Sequence, residues 1–134
     1  MKKLKTSALI VNYNYAEFVA EAIKSILEQS RPIDQIVVVD DGSTDNSKEV
    51  IANALKNHPN AKIIHQENGG QTSGYQNAAS VLTGDIIFFL DSDDRWKIDH
   101  VASFIQVFEM HPEVDYVYCG HETFGENNKS WQAY

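Results

Sequence analysis

The segment Asp91-Ser92-Asp93-Asp94 follows directly on a run of apolar residues at 86–90. A buried strand that ends in carboxylates brings negative charge to one edge of a sheet, which is costly unless water or a cation meets it. Because residues i and i+2 of a strand point to the same side, Asp91 and Asp93 can converge on one ion. Carboxylate oxygens suit hard cations such as Mg²⁺ and Mn²⁺, which bridge the oxygens of a diphosphate. The spacing also allows the alternative that Ser92 or Asp94 caps a following helix.

A second predicted strand, at 35–39, ends in the same way at Asp40-Asp41-Gly42-Ser43. A carboxylate at this depth can accept the N3–H of a uracil or thymine ring, and we predict this contact for Asp40. Asp41 fits a solvated turn equally well, with Gly42 supplying the conformation of the turn. Two acidic strand ends in one small chain favour a site for a metal ion and a nucleotide.

Two further polar segments follow predicted strands. Tyr13 can stack on a nucleotide base, because an aromatic face packs on any heterocycle. Its neighbours Asn12 and Asn14 can hydrogen-bond a ligand or cap the helix that follows. Gly69 and Gly70 allow the backbone to approach a ligand at the N-terminus of a helix, where anions are favoured. Each of these features alone is also typical of an ordinary loop.

The composition narrows the classes of partner. The chain has 134 residues, a net charge of −8 and only two arginines, Arg31 and Arg95. This balance argues against nucleic acid, whose binding depends on clustered Lys and Arg. A smaller phosphorylated ligand would need a cation to hold it. No apolar stretch approaches the roughly 20 residues of a membrane span. The single cysteine, Cys119, indicates a reducing cytosol, and its apolar neighbours predict that it is buried.

Apolar periodicity predicts strands that alternate with helices along the chain. Near-continuous apolar strands indicate a mainly parallel sheet with helices on both of its faces. Ligands of such sheets bind beyond the carboxyl ends of the strands, and the four polar segments would share that rim. The predicted strands cover 7–11, 35–39, 61–65, 86–90 and 114–119, and the predicted helices cover 16–29, a stretch that starts at Ser43 or Thr44, 71–82 and 97–111.

Together and in this order, the strand-end segments resemble the N-terminal half of family 2 glycosyltransferases. The resemblance covers about residues 6–117. It implies a Rossmann-like α/β fold of the GT-A type, with a mainly parallel sheet and helices on both faces. It also implies a single nucleotide-sugar-binding domain over 1–134 that is truncated. Separately, the polar composition of the tail predicts that 120–134 is loose. The matching segments are 8–14, 36–45, 67–71 and 84–94.

The resemblance also implies roles for particular residues. Asp40 would contact the uracil of a nucleotide-sugar, and Val11 and Tyr13 would line the base pocket. Asp93 would be the metal ligand, and Asp91 would lie near the ribose or the metal. The predicted nucleotide-binding residues are Val11, Asn12, Tyr13, Asp40, Gly69, Asp91 and Ser92, and the predicted metal ligands are Asp93 and Asp91, with Mn²⁺ or Mg²⁺ as the cofactor.

The resemblance implies that the protein is an enzyme of polysaccharide biosynthesis. Such an enzyme transfers a sugar, with inversion, from a UDP-linked or other nucleotide-linked donor to a carbohydrate or lipid-linked acceptor. Its catalytic base is expected downstream of these residues. Its location is expected to be cytoplasmic, peripheral to the membrane in the full-length protein.

Two departures from the family pattern and two alternatives accompany this prediction. Many members have proline at the position of Val11, and residues 74–77 lack a common arginine. The first alternative is a fragment that binds a nucleotide-sugar without chemistry. The second is a signalling receiver domain, which residues 38–41 suggest. It would need a lysine on the rim, and the candidate, Lys97, falls inside a predicted helix.

Overall fold

A four-stranded parallel sheet forms the centre of the fold. The computed structural model describes residues 2–125 and 130–131. The strand order is β3-β2-β1-β4, so the chain extends the sheet on one side of β1 and then returns to pair β4 with its other side. The predicted parallel sheet is confirmed. The strands are β1 Thr6–Asn12, β2 Gln35–Asp41, β3 Ala61–Gln66 and β4 Ile86–Phe89, and the helices are α1 Ala16–Leu27, α2 Ser47–Leu55, α3 Gln71–Ala79 and α4 His100–Met110.

Helices cover both faces of the sheet, as predicted. Side chains alternate between the two faces along each strand. On one face, Leu9, Val37 and Val39 pack with Ala78 of α3. On the other face, α1 and α2 cover a second buried layer, and burial on both sides explains why the strands are unbroken apolar runs. The buried residues of this second layer are Ala8, Ile10, Ile36 and Val38 in the strands, Val19, Ala22, Ile23 and Ile26 in α1, and Ile51 and Leu55 in α2.

The start of α2 lies downstream of its predicted position. The helix begins at Ser47, and neither Ser43 nor Thr44 caps it. The Asp45 carboxylate instead accepts the Ser47 N–H at 2.9 Å and satisfies one donor of the first turn. The Ser43 hydroxyl has another use, since it accepts the Asn14 N–H at 3.0 Å. The sequence pattern did not distinguish these side chains, because all of them are good capping residues.

Two other helices are shorter than predicted. α3 ends at Ala79 instead of 82, and the chain turns back so that Gly84 lies against β1. A Cβ atom at Gly84 would come within 2.5 Å of the Ser7 nitrogen, so the close approach requires glycine. α4 begins at His100 instead of 97, because the residues just before it bond to the end of α1.

The predicted fifth strand, 114–119, is wrong. Among the described residues this segment joins no ladder, and the short strands β5 His121–Glu122 and β6 Ser130–Trp131 form an antiparallel pair. A strand needs a partner for its backbone groups as well as an apolar pattern. Cys119 is exposed, so its predicted burial is wrong too.

The chain divides into two compact units, residues 1–103 and 104–134. The first contains the parallel sheet, and the second contains β5 and β6. Much of the segment predicted to be loose, 120–134, lies outside the described residues. In the described part of the chain, no helix combines the length and the apolar character needed to cross a bilayer.

Candidate functional site

A cleft of ≈ 350 Å³ opens at the carboxyl ends of the strands. Its walls come from the ends of β1, β2 and β4 and from the start of α3, so the predicted common rim is present. It lies where the sheet order changes direction, which is where ligands of open parallel sheets bind. A depression of ≈ 490 Å³ elsewhere is lined by residues 46–53 alone and brings no strand ends together. The cleft is lined by Val11, Tyr13, Tyr15, Asp41, Gln71, Asp91, Ser92 and Asp93.

Three carboxylates converge at the end of β4, and two of them, Asp91 and Asp93, line the cleft. Oxygens of Asp91, Asp93 and Asp94 lie within 4.8 Å of one another, and all three residues are exposed; we call them the acidic triad. Because α4 begins only at His100, none of them caps that helix, which removes the alternative interpretation. Three converging carboxylate oxygens fit the ligand preference of Mg²⁺ or Mn²⁺. Sequence reasoning had not proposed Asp94 as a ligand, although it is adjacent to Asp93.

Asp41 is the centre of a hydrogen-bond network at the end of β2. The sequence had left its role undecided between function and a solvated turn. Its buried carboxylate accepts the N–H groups of Gly69 and Gly70 at 2.8 and 2.9 Å. It also accepts the side-chain amides of Gln66 at 2.7 Å and Asn68 at 3.3 Å. Burial alone would raise the pKa of Asp41, but the hydrogen bonds from Gly69, Gln66 and Gly70 outweigh it and lower the pKa. Asp41 is therefore a structural anchor, not a solvated turn residue.

This anchor changes the predicted role of Gly69. The N–H groups of Gly69 and Gly70 stand at the start of α3, where an anion is favoured. The carboxylate of Asp41 already occupies that position. The predicted backbone contact between Gly69 and a ligand therefore does not fit the hydrogen bonding at this helix end.

Asp40 and Asn12 lie away from the cleft. Asp40 is fully buried and accepts the Asn12 Nδ2 at 3.4 Å and the Ser43 N–H at 3.3 Å, with His65 Nδ1 at 3.9 Å. Asn12 is also fully buried. Successive residues of a strand point to opposite faces, so Asp40 faces away from the side on which Asp41 reaches the cleft. The base contact predicted for Asp40 does not fit this position.

Asn14 joins the loop that carries Tyr13 and Tyr15 to the loop that follows β2. Its φ of 55° lies in the left-handed region, which asparagine tolerates better than most residues. Its Oδ1 accepts the N–H groups of Thr44 at 2.7 Å and Asp45 at 3.2 Å. The Asp45 carboxylate in turn accepts the Ala16 N–H at 3.0 Å. These bonds fix the loop that presents Tyr13 to the cleft.

Asn14→Ala should therefore cost more than Asn14→Gly. Both variants lose the bonds to Thr44 and Asp45, which contribute about 1 kcal/mol at this exposed position. Only the alanine variant also has a Cβ in a left-handed conformation, which adds roughly 1–2 kcal/mol. Urea denaturation of both variants measures the difference in the free energy of unfolding. Equal losses would show that the φ of Asn14 carries no strain.

Comparison with known proteins assigns the chain to a family. Residues 7–134 match the family described as Glycosyl transferase family 2. The chain belongs to glycosyltransferase family 2. A relative described as an uncharacterized glycosyltransferase of Nostoc sp. (strain PCC 7120) is 41% identical over 107 residues, which are 79% of this chain and 33% of the relative.

Solved structures share the GT-A fold of this glycosyltransferase domain. TarS 1-349 of S. aureus, in complex with UDP, has a TM-score of 0.74 at 25% identity, over 81% of this chain and 33% of that chain. The mannosyltransferase PcManGT from Pyrobaculum calidifontis, in complex with GDP-Man and Mn²⁺, has a TM-score of 0.74 at 26% identity, over 80% and 33%. This chain spans about a third of the length of the relatives it matches.

Proposed function

We propose that the cleft binds a nucleoside diphosphate-sugar together with a divalent cation, and that the whole protein transfers the sugar to an acceptor. One observation carries this proposal. Asp91 and Asp93 of the acidic triad line the same cleft as Val11 and Tyr13 from the end of β1. A nucleotide in such a cleft would have its base at the β1 end and its diphosphate at the triad. A cation held by the carboxylates of the triad would supply positive charge to the diphosphate there.

At the base end, we assign the uracil contact to Asp41 instead of Asp40. Tyr13 is 44% exposed and offers a face on which the base can stack. The Asp41 carboxylate can accept the N3–H of uracil if its longest bond, to Asn68 at 3.3 Å, gives way. Val11 supplies apolar surface at the base end of the cleft. Its side chain packs on Gly74 of α3 so closely that a Cβ added at Gly74 would lie 2.7 Å from it.

At the diphosphate end, the acidic triad would hold Mn²⁺ or Mg²⁺. When bound, such an ion offsets the charge that grows on the departing diphosphate. Gln71 orients the carboxylate of Asp91, one of the proposed metal ligands, since its Nε2 donates to Asp91 Oδ1 at 3.0 Å. Burial, and then the charge of Asp91, raise the pKa of Tyr75, so its hydroxyl stays protonated beside the triad. We assign Asp91 to the metal and to the nearby ribose, and Ser92 to the nucleotide.

The solved relatives support a nucleotide-sugar donor but differ in the base. TarS was solved with UDP and PcManGT with GDP-Man and Mn²⁺. We propose UDP for this chain, with the N3–H of uracil donating to the carboxylate at the base end. Inversion at the sugar, a carbohydrate or lipid-linked acceptor and a role in polysaccharide synthesis belong to the same proposal, as does a cytoplasmic location, which the free thiol of Cys119 suits.

Comparison of UDP with CDP tests the base assignment without changing the protein. Uracil presents a donor at N3, whereas cytosine presents an acceptor there, which the carboxylate would repel. We expect calorimetry in Mn²⁺ to give UDP a lower Kd than CDP by roughly 10- to 100-fold, which is about 1.4–2.8 kcal/mol. Equal affinities would contradict a carboxylate contact to the base.

The adjacent pair Asp40 and Asp41 supplies a matched control. Asp41→Asn should reduce the ratio of UDP to CDP affinity, because the amide can face either base with a suitable atom. Asp40→Asn should leave the ratio unchanged, because Asp40 is fully buried away from the cleft. A ratio that falls only in Asp40→Asn would return the contact to Asp40.

A further inference from the structure

Residues 95–101, here called the strap, bond to the C-terminal part of α1 and the turn that follows it. The strap begins directly after Asp94, the last member of the acidic triad. It has no helical structure before His100, so its backbone groups find partners on α1 and on the turn that follows α1 instead. The bonds join Arg95 to Glu21 at 2.6 Å, the Trp96 N–H to Ser25 Oγ at 3.1 Å, the Ser30 N–H to the Ile98 carbonyl at 2.9 Å and Ser30 Oγ to Asp99 Oδ1 at 2.6 Å.

Gln29 is the buried side chain that ties the strap to two helices. It is 5% exposed. Its Nε2 donates to the carbonyls of Ser25, at 3.0 Å, and of Lys97, at 2.8 Å. Its Oε1 accepts the N–H of Val101 at 2.9 Å, a donor in the first turn of α4. Since two partners are carbonyls and the third is an N–H, only this orientation of the amide satisfies all three.

The acidic triad lies in a short loop that is fixed at both ends. On the upstream side, the Leu90 N–H donates to the carbonyl of Leu9 at 3.1 Å, which extends the pairing of β4 with β1. On the downstream side, the strap begins at once. Within the loop, the Asp94 N–H donates to the Asp91 carbonyl at 3.1 Å. The strap is therefore the first bonded segment downstream of the loop that carries the triad.

We propose that Gln29 is a positioning residue for the divalent cation of the donor site. It lines no part of the cleft and acts by holding the strap, and through it the loop of the triad. A small divalent ion accepts oxygens only at about 2.0–2.6 Å, so a loop that shifts by a fraction of this distance loses affinity. This inference rests on the proposed function, because it assumes that the triad binds the ion.

Gln29→Met removes all three hydrogen bonds and keeps most of the side-chain volume. We expect the Kd for Mn²⁺, measured by electron paramagnetic resonance at saturating UDP, to rise by about 10- to 100-fold, as for other residues that support metal ligands. Affinity for UDP in EDTA should not change, because the base contacts are untouched. Ser30→Ala, at an exposed position of the same contact, should raise the Kd for Mn²⁺ less, and it keeps the test open if Gln29→Met does not fold.

Gln35→Met is the matched control. Gln35 also bonds several partners through its amide, with Ser7 Oγ at 2.7 Å, the Val81 carbonyl at 2.8 Å and the Thr83 N–H at 2.9 Å. It stands at the first residue of β2, which is the opposite end of the sheet from the triad. The Gln35→Met variant should lower the free energy of unfolding and leave the Kd for Mn²⁺ unchanged.

Three outcomes would overturn the inference. Wild-type Mn²⁺ affinity in both Gln29→Met and Ser30→Ala would show that the strap does not position the triad. Equal losses of Mn²⁺ affinity in the Gln29 and Gln35 variants would reduce the effect to general destabilisation. If the unmodified chain bound no Mn²⁺ at saturating UDP, the proposed function would fail first, and the inference with it.

Discussion

Asp93→Asn should remove the gain in UDP affinity that Mn²⁺ gives the unmodified chain. Asp93 lies in the cleft and its oxygens converge with those of Asp91 and Asp94 within 4.8 Å. An amide offers one neutral oxygen in place of a charged carboxylate, which a hard cation binds far less well. We expect the Kd for UDP in Mn²⁺ to rise by at least about tenfold, since even residues that only support metal ligands have effects of this size. Calorimetry measures the Kd for UDP with Mn²⁺ and, in EDTA, the Kd without metal.

Asp85→Asn is the control for the change in charge. Asp85 directly precedes β4, so it lies at the opposite end of the strand that the triad follows, and its carboxylate pairs with Lys2 at 3.2 Å. The variant carries the same change of net charge as Asp93→Asn. It should keep the full effect of Mn²⁺ on UDP affinity. If both variants lost that effect equally, the cation would be responding to overall charge and not to the triad.

Asp41→Asn should be the most destabilising of the carboxylate variants. Four donors, from Gly69, Gly70, Gln66 and Asn68, bond to the two oxygens of this buried side chain. An amide keeps one acceptor and places an NH₂ group against the remaining donors. A hydrogen bond to a charged group contributes about 1.5–3 kcal/mol, so losing one or more of these bonds costs at least that much. Urea denaturation at pH 7 measures the loss, and a change below about 1 kcal/mol, typical of surface sites, would contradict the anchoring role.

The same carboxylate predicts a pH dependence of stability. The pKa of Asp41 in the folded chain is lowered from 3.8, with the hydrogen bonds from Gly69, Gln66 and Gly70 outweighing burial. Because the folded pKa is below the unfolded one, the stabilisation is complete above about pH 4 and is lost as the pH falls through the folded pKa. Denaturation of the unmodified chain and of Asp41→Asn should therefore differ less at pH 3 than at pH 7. A constant difference would show that Asp41 does not titrate on unfolding in this window.

The sheet could be predicted because its strands are covered on both faces. Runs such as 36–39 are apolar at every position, and this pattern is typical of parallel strands between two helical layers. The common rim followed from the same topology, and Asp91 and Asp93 do lie together there. These features depend on local pattern and on rules for connecting parallel strands, which the sequence carries directly.

The choice between Asp40 and Asp41 depends on which face of the sheet each side chain takes, and the sequence carries this information in the alternation along β2. Val11 pairs with Val39 across β1 and β2, and Asp41 follows Val39 by two residues, so it continues the face that reaches the cleft. Extending the strand to Asp41 would have placed Asp41, and not Asp40, on the face that lines the cleft. Ending it at Val39, before the acidic residues, hid this alternation.

Other features depend on partners far apart in the chain. The late start of α4 reflects bonds such as that between Gln29 and Val101, which no local pattern announces. The bond from the Ser47 N–H to Asp45 at the start of α2 was not predicted, because Ser43, Thr44 and Asp45 are all good capping residues and only contacts with Asn14, in another loop, distinguish them. Residues 114–119 have an apolar pattern typical of a strand, but pairing decides whether a strand forms.

Paramagnetic broadening by Mn²⁺ in the presence of UDP tests the central claim most directly. Amide signals in an ¹⁵N-labelled sample would report both ligands at once. The account predicts that substoichiometric Mn²⁺ broadens the signals of residues 91–94 and Gln71, while UDP shifts those of Val11 and Tyr13. Broadening centred on another acidic surface, such as Glu109 and Glu113, with residues 91–94 unaffected, would contradict a cation site at this rim of the sheet.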